Sequence, residues 1–273
     1  MLGDRRAVLV SSVSTIVFFV VLGAAIFLAP GSREVAHDFF SFEAMREALV
    51  GTNTTPSVLS SFWLNVRMFL VAEVFILVLA LVIAVIRQMP GPALFPLRLV
   101  AVIYTDFFRG VPLLLVIYIM GFGIPGLAIP GISDRSPVVL GVAALVLSYS
   151  AYVAEVYRAG IESVHESQVI GARSLGLSRW QSMRFVVLPQ AVRRVIPPLL
   201  NDFISLQKDT ALVAVLGPIE AARAAAIYGS DRFNYSSFVV AALLFILLTI
   251  PLARFTDHLV ARDRKRRRGG AMA

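Results

Sequence analysis

The fold class follows from one stretch of the sequence, WLNVRMFLVAEVFILVLALVIAVI, which runs from Trp63 to Ile86. A helix that crosses a bilayer needs about 20 mostly apolar residues, and this stretch is long enough. The chain as a whole agrees with it, because its 273 residues are 58% hydrophobic and 15% charged. Soluble domains are nearer to about half apolar and about a quarter charged. The sequence therefore predicts an all-α integral membrane protein.

Six segments meet the same requirement for a membrane-spanning helix. They are about Ala7–Ala29, Trp63–Ile86, Leu97–Met120, Val138–Ala159, Val192–Leu216 and Ser236–Val260. The first follows Asp4-Arg5-Arg6 and resembles a signal peptide. Its apolar run is longer than the roughly 7–15 residues of a signal-peptide core, which favours an uncleaved anchor helix. We therefore expect a multi-pass protein with six transmembrane helices.

The composition argues against several classes of function. Cys is absent, and His37, His165 and His258 lie far apart in sequence, so no metal site is expected. The sequence has neither a Gly-x-x-x-x-Gly-Lys-Ser/Thr phosphate loop nor a nucleophile–base constellation. We therefore expect no ATP hydrolysis, no catalytic residue and no cofactor on this chain. The net charge of +8 would suggest nucleic acid in a soluble protein, but here the basic residues lie beside apolar spans.

These basic residues predict the orientation of the spans, because cytoplasmic loops of membrane proteins are enriched in Lys and Arg. With the N-terminus in the cytoplasm, the cytoplasmic segments hold Arg5, Arg6, Arg87, Arg98, Arg158, Arg173, Arg179, Arg184, Arg193, Arg194, Arg254 and the run 262–268. The outer segments hold only Arg33, Arg46, Arg135, Arg223 and Arg232. Both termini are therefore expected in the cytoplasm.

The predicted spans divide the chain into four parts. Residues 1–30 form the anchor helix, 31–62 a polar outer loop, and 63–260 the main membrane domain, with a cytoplasmic loop at 161–191. Residues 261–273 form a basic tail. We expect this tail to touch anionic membrane lipid on the cytoplasmic side.

The cytoplasmic loop has the sequence signals of two short helices. Ser167 is predicted to cap the first, which ends near Leu175, and Gly176 supplies the left-handed residue after it. Ser178-Arg-Trp-Gln181 matches a capping box and starts the second helix. Leu188-Pro189 is expected to end that helix before the next span.

The first of these helices predicts a docking surface. Val169, Ala172 and Leu175 fall on roughly one face, and Gly171 keeps the helix slim enough to enter a groove on another protein. The alternative is an amphipathic helix that lies on lipid headgroups.

Five segments resemble one known family. Gly171-Ala-Arg-Ser-Leu-Gly-Leu-Ser178, followed by Val187-Leu-Pro-Gln-Ala191, is similar to the EAA loop of ABC importer permeases. The other four resemble motifs of the polar amino acid branch of these permeases, in the family's order: Phe108–Leu114, Ser150–Arg158, Asn201–Ile204 and Lys208–Leu212. This resemblance implies the five-helix type I permease core over about residues 63–260, with one additional N-terminal helix.

The resemblance also implies that the cytoplasmic loop is the coupling helix, which docks on a separate ABC ATPase subunit. The residues expected to form this contact are Gln168, Val169, Ile170, Gly171, Ala172, Arg173, Leu175, Gly176 and Leu177. Ile170 stands where the family has the Glu of its EAA signature. An Ile cannot make an electrostatic contact, so docking here is expected to depend on apolar burial, or on Arg173 and Arg179.

Ionisable residues at membrane depth indicate a second candidate site, because each costs about 2.5–3.5 kcal/mol on insertion scales. Together with the resemblance, they suggest a substrate pathway or gate formed by Asp106, Arg109, Tyr152, Glu155, Asn201, Asp202, Lys208 and Asp209, with Glu73 as a further charged candidate. A zwitterionic amino acid needs a cation for its carboxylate, for which Arg109 or Lys208 would serve. Glu155, Asp202 or Asp209 would serve its ammonium group.

A structural role for these charges is the alternative. Asp106 and Arg109 are i,i+3 neighbours that can pair on one helix face, just before a break at residues 110–112. Glu155 is expected near the cytoplasmic end, as part of a gate, and Tyr152 is as consistent with packing as with lining the pathway.

The resemblance implies the permease subunit of an importer for polar amino acids in the bacterial cytoplasmic (inner) membrane. Its expected partners are an ABC ATPase subunit, an extracytoplasmic substrate-binding protein, a second permease chain in a homo- or heterodimer, and the amino acid substrate. No nucleic acid partner is expected. The alternative function is an ion-coupled secondary transporter that uses the membrane carboxylates and needs no nucleotide.

Overall fold

The computed structural model describes residues 2–89 and 91–270, and every regular element within these ranges is helical. The α-helices are α1 (Leu2–Phe27), α2 (Ser32–Phe40), α3 (Phe42–Val50), α4 (Val58–Gln88), α5 (Phe95–Gly110), α6 (Leu113–Tyr118), α7 (Ile124–Gly126), α8 (Pro137–Glu162), α9 (Glu166–Ser174), α10 (Arg179–Ser182), α11 (Leu188–Asp209), α12 (Ala221–Arg232) and α13 (Ser236–Gly270). Short 3₁₀ or π segments join several of them: Pro92–Leu94, Ile119–Gly123, Met183–Val187 and Thr210–Leu216.

Helix α8 lies at the centre of the bundle, against α4, α5 and α11. Ser136 caps its first turn and Pro137 occupies a first-turn position, where the missing N–H costs nothing. Small residues let the neighbouring helices approach closely. A Cβ at Gly160 would lie 2.1 Å from a methyl group of Val195, and one at Gly141 would lie 2.4 Å from Val213.

Helix α4 buries one stripe of side chains and exposes the rest. The buried positions recur every three or four residues, as the 3.6-residue period requires: Val58, Ser61, Asn65, Met68, Phe69, Ala72, Ile76, Ala80, Ile83 and Ala84. The opposite face exposes large apolar side chains such as Val74, Phe75 and Val78. Exposing these apolar side chains to water would be unfavourable, but in a bilayer they contact lipid without a cost in free energy.

Among the residues that the structure describes, three helices are long and apolar enough to cross a membrane: Val58–Gln88, Pro137–Glu162 and Ser236–Ala261. The number rises to five if each of two bent helix pairs counts as one span, and α1 contributes a shorter apolar stretch at Val10–Ala25. The six-span count stays a prediction. The break expected at residues 110–112 is confirmed and divides the segment Leu97–Met120, because Pro92–Gly110 and Leu113–Gly126 meet at an angle of 107°. Pro112 has no N–H to donate, and the chain is extended at Val111, so the helix cannot continue.

The outer segment 31–62, expected as a polar loop, contains the two helices α2 and α3. The small residues Ala44 and Ala48 of α3 lie in one buried cluster with Val58 of α4 and Ala241 of α13. Backbone bonds fix α2 as well, because the Tyr235 amide donates to the Asp38 carbonyl at 2.7 Å. Both helices are short, and their stability comes from packing against α13 and, for α3, also against α4.

Candidate functional site: the cytoplasmic elbow and the membrane polar residues

The loop that is predicted to lie in the cytoplasm folds into a helical elbow, which we define as residues 166–187. His165, and not Ser167 as predicted, is the N-cap of α9, since its Nδ1 accepts the Ser167 amide at 3.2 Å. The left-handed conformation of Gly176 is confirmed by a φ of +87°. The capping box is confirmed too: the Ser178 hydroxyl accepts from the Gln181 amide, and the Gln181 side chain accepts from the Ser178 amide.

The prediction that Pro189 ends the second helix is wrong. Helix α10 passes through a π segment, Met183–Val187, directly into α11. A proline inside a helix clashes with the carbonyl four residues earlier and donates no bond to it. The wider π turn lies immediately before Pro189, where it can relieve that clash and let the helix run on. The elbow is therefore continuous with a membrane helix.

The predicted face of α9 is also wrong. Ala172 is buried at 6% exposure, and Val169 packs on Val187 and Met183 of the same chain. Leu175 lies past the end of the helix and is 84% exposed. The outward surface is instead formed by Ile170, Leu175 and Trp180, which are all more than half exposed.

The remaining predicted coupling residues lie on or beside this outward surface. Gln168, Gly171, Arg173 and Gly176 are exposed, and Leu177 is half-buried. A Cβ added at Gly171 would meet nothing within 4 Å. The structure thus brings these residues together on one elbow, with Val169 and Ala172 as its internal packing.

Glu155 lies in an ion-pair cluster near the C-terminal ends of α4 and α8. Its Oε2 accepts from Arg87 at 2.7 Å, and its Oε1 accepts from the Arg158 Nε at 2.9 Å. Arg158 also bridges to Glu162, and Arg87 donates to the Thr105 hydroxyl at 3.2 Å. The cluster joins three helices, α4, α5 and α8. Glu155 has its charge neutralised within the chain.

The expected pair of Asp106 with Arg109 is wrong within the described residues, where neither forms an ion pair. Both side chains are exposed. Near the break after α5 the last carbonyls of the helix lack intrahelical partners, and the Tyr152 hydroxyl donates to the Arg109 carbonyl at 3.2 Å. Tyr152 therefore helps to fix the bent end of α5.

The four predicted residues of α11 divide into two groups. Asn201 and Lys208 are exposed. Asp202 and Asp209 are half-buried, and Asp209 accepts a hydrogen bond of 2.6 Å from the Tyr149 hydroxyl. One carboxylate oxygen of Asp202 is buried without a hydrogen-bond partner. Glu73 of α4, on a neighbouring helix, is also half-buried.

The sequence reasoning missed a buried polar network between α4 and the start of α12. Glu220 is fully buried and caps α12, accepting the Ala222 and Arg223 amides at 3.0 and 2.7 Å. The Asn65 amide group donates to Glu220 at 2.9 Å and to Thr210 at 3.1 Å. The sequence signal for this network was Asn65, which lies inside an apolar run. A buried side-chain amide needs hydrogen-bond partners, so Asn65 predicts other polar groups beside it.

Arg67 was missed as well, although it lies inside the apolar run of α4. It is exposed and forms no ion pair within the described part of the chain. An unpaired arginine in a membrane span is costly unless it meets water or another chain.

Apolar helices of spanning length, with one pair bent at a proline, and an exposed helical elbow outside them are the features of a membrane permease. A family model described as the binding-protein-dependent transport system inner membrane component matches residues 93–265. The chain belongs to this family. It is a membrane permease subunit of a transport system whose family works with an ABC ATPase and a substrate-binding protein.

Several known proteins are similar to the chain. The probable amino-acid permease protein YxeN of Bacillus subtilis is 32% identical over 196 residues, which are 71% of this chain and 86% of the relative. The probable amino-acid ABC transporter permease protein PatM of Vibrio harveyi is 34% identical over 218 residues, 79% of this chain and 92% of the relative. A crystal structure of an amino acid ABC transporter with histidines superposes with a TM-score of 0.69 at 30% identity, covering 75% of this chain and 93% of that chain.

Proposed function

We propose that this chain is the permease subunit of an ABC importer for polar amino acids, driven by a separate ATPase that docks on the elbow. The substrate class rests on the relatives, since they are named as amino-acid permeases. The observation that carries the ATPase contact is the outward apolar surface of Ile170, Leu175 and Trp180 on a cytoplasmic-side elbow.

The elbow is attached to two membrane helices, which supports a mechanical role. Val164 after α8, Val187 in the π segment and Ala191 of α11 form one buried cluster with the inner face of α9. Arg194 of α11 also donates to the Ser163 carbonyl at the end of α8. A force on the elbow would therefore move α8 and α11 together, and ATP-driven closure of the ATPase would change the opening of the pathway.

Ile170 makes the proposed contact with the ATPase apolar at the position where the family has a charged Glu. A Glu would add a charge at this position, whereas Ile170 is apolar and 57% exposed. Burying it gains about 25 cal/mol per Å² of apolar surface, without depending on ionic strength. Arg173 and Arg179, both exposed, supply the electrostatic part.

For the substrate pathway we assign the exposed Asn201, Lys208, Asp106, Arg109 and Tyr152, together with the half-buried Asp202 and Asp209. Lys208 or Arg109 would bind the substrate carboxylate. Glu155 is held by two arginines and is assigned to the cytoplasmic gate and not to substrate. A second permease chain would complete the pathway, an external binding protein would deliver the substrate, and both termini would lie in the cytoplasm.

The test is co-purification of the ATPase with the permease. Deleting residues 168–177 should leave membrane insertion intact and abolish ATPase association. Ile170→Asp should weaken association strongly, because it places a charge in an apolar contact. Ser174→Asp is the matched control, since it adds the same charge to an exposed position of α9 without removing apolar surface.

Two results would contradict the proposal. One is normal ATPase co-purification by the deletion variant. The other is amino acid uptake, without nucleotide, into liposomes that contain this chain alone, which would indicate an ion-coupled transporter.

A further inference from the structure

An apolar groove lies between α3 and α13, on the side of the molecule that holds the outer helices. Its volume is about 340 Å³, at the lower end of the roughly 300–1,000 Å³ of small-molecule sites. Met45 and Leu49 line one side and Val240, Leu243 and Leu244 the other. The groove has almost no polar surface, so an apolar chain fits it.

Arg46 is the one charged side chain among the residues that line this groove. It lies on α3 beside Met45, and it is exposed. Within the described residues it forms no ion pair, although Glu43 and Glu47 lie on the same helix. Glu47 accepts a bond of 3.1 Å from the Tyr228 hydroxyl instead. The guanidinium is thus available to an anion outside the chain.

Exposed aromatic side chains place the groove at headgroup depth. Phe42 is 82% exposed at its edge, and Phe233 and Tyr235, just before α13, are 81% and 41% exposed. Aromatic rings are enriched at the membrane–water interface, where an apolar body meets a wet edge. From this level α13 runs into the membrane with Leu243 and Leu247 exposed to lipid. An arginine at this depth lies level with phospholipid phosphates.

We propose that this groove binds one phospholipid of the outer leaflet, with its phosphodiester on Arg46 and one acyl chain between α3 and α13. Arginine binds phosphate oxygens through two parallel N–H donors, which the apolar side chains around it cannot do. The lipid would hold the outer helix α3 to the span α13. Residues 1–92 precede the family match, so the α3 side of the site lies outside the matched segment.

The experiment is a titration of the full-length chain in detergent, read as the lipid-bound fraction by native mass spectrometry. The probes are phosphatidylglycerol and diacylglycerol, which share their acyl chains and differ in the phosphate headgroup. Wild type should bind one phosphatidylglycerol more tightly than diacylglycerol. Arg46→Gln should weaken phosphatidylglycerol binding roughly five-fold. Arg33→Gln, which removes an exposed arginine from α2, should leave it unchanged.

A second variant pair tests the acyl chain. Leu243→Trp narrows the groove at a position that is 54% exposed, so folding should tolerate it. It should weaken binding of both lipids, whereas Leu247→Trp, on the same helix but outside the groove, should not. Unchanged binding by Leu243→Trp or by Arg46→Gln would overturn the proposal. Equal binding of the two lipids would also overturn the proposal. So would tighter lipid binding by a chain that lacks residues 1–27, because α1 would then compete for the groove. A cross-link from the groove to a second copy of the chain would overturn it as well, because the groove would then be an interface.

Discussion

Two glutamates anchor α4 to its neighbours, one towards each end of the helix, and they are held in opposite ways. Glu155 of α8 is paired with Arg87 and Arg158, with side chains 15–30% exposed. Glu220 is fully buried and accepts only neutral donors, from the Asn65 amide and two backbone N–H groups. In the ion-pair cluster around Glu155, two arginine side chains neutralise the carboxylate. The Glu220 network replaces water with fixed dipoles at the start of a helix.

This difference has energetic consequences. A charge that keeps some contact with water loses little when one partner is removed, because solvent screens it. A buried group that loses its partners carries the full desolvation cost. Structurally, the Glu220 network can hold α12 rigidly, whereas the ion-pair cluster around Glu155 can exchange partners. A rigid end at Glu220 and an adjustable end at Glu155 would suit the importer proposed above, in which the Glu155 end of the bundle faces the ATPase.

The largest effect is expected from Glu220→Ala. It removes the N-cap of α12 and leaves Asn65 and two backbone N–H groups without their acceptor. Loss of an N-cap and of buried partners together should cost about 3 kcal/mol or more of unfolding free energy. Thermal unfolding of the purified chain in detergent measures it. Glu34→Ala, at an exposed position of α2, is the control and should change stability little.

Arg87→Gln should have an intermediate effect. It removes the 2.7 Å bridge from α4 to Glu155 but leaves Arg158 to neutralise that carboxylate. We expect a loss of about 1–2 kcal/mol, between the values for buried and for exposed pairs. Arg87→Lys should recover part of it. If Arg87→Gln unfolded at a lower temperature than Glu220→Ala, the proposed contrast between the two ends would be wrong.

The smallest effect concerns ionic strength. Raising the salt concentration should weaken the exposed arm of the ion-pair cluster, Arg158 with Glu162, whose side chains are 30% and 57% exposed. Glu162→Gln, which removes this arm alone, should therefore cost less than about 1 kcal/mol and should reduce the salt dependence of unfolding. Wild type and Glu220→Gln should show the same salt dependence. Equal salt dependence of wild type and Glu162→Gln would contradict this interpretation of the cluster.

The sequence predicted the elements whose signals are local. The apolar run of α4, the left-handed Gly176 and the capping box at Ser178 each depend on residues within a few positions of one another. Family membership also followed from ordered motifs, and the family model agrees over residues 93–265. Such features need no knowledge of what packs against them.

The errors have the opposite cause. Whether Val169 and Ala172 faced outward depended on Met183 and Val187, which approach them only after the elbow folds. The pairing of Asp106 with Arg109 was predicted from spacing, yet the structure leaves both exposed near the end of α5. Pro189 was read as a helix end, because a π turn before it leaves no clear sequence signal.

The sequence by itself determined that this protein is a helical membrane permease with a two-helix elbow, which it predicts to lie in the cytoplasm. The length of an apolar segment, the placement of arginines and the helix caps are local features of the chain. They can therefore be predicted from the sequence alone. Only the tertiary structure decided which side chains face outward on the elbow and how Glu220 reaches Asn65 across 155 positions of sequence. Burial and hydrogen-bond satisfaction are properties of the packed bundle, where one residue's partners lie on other helices.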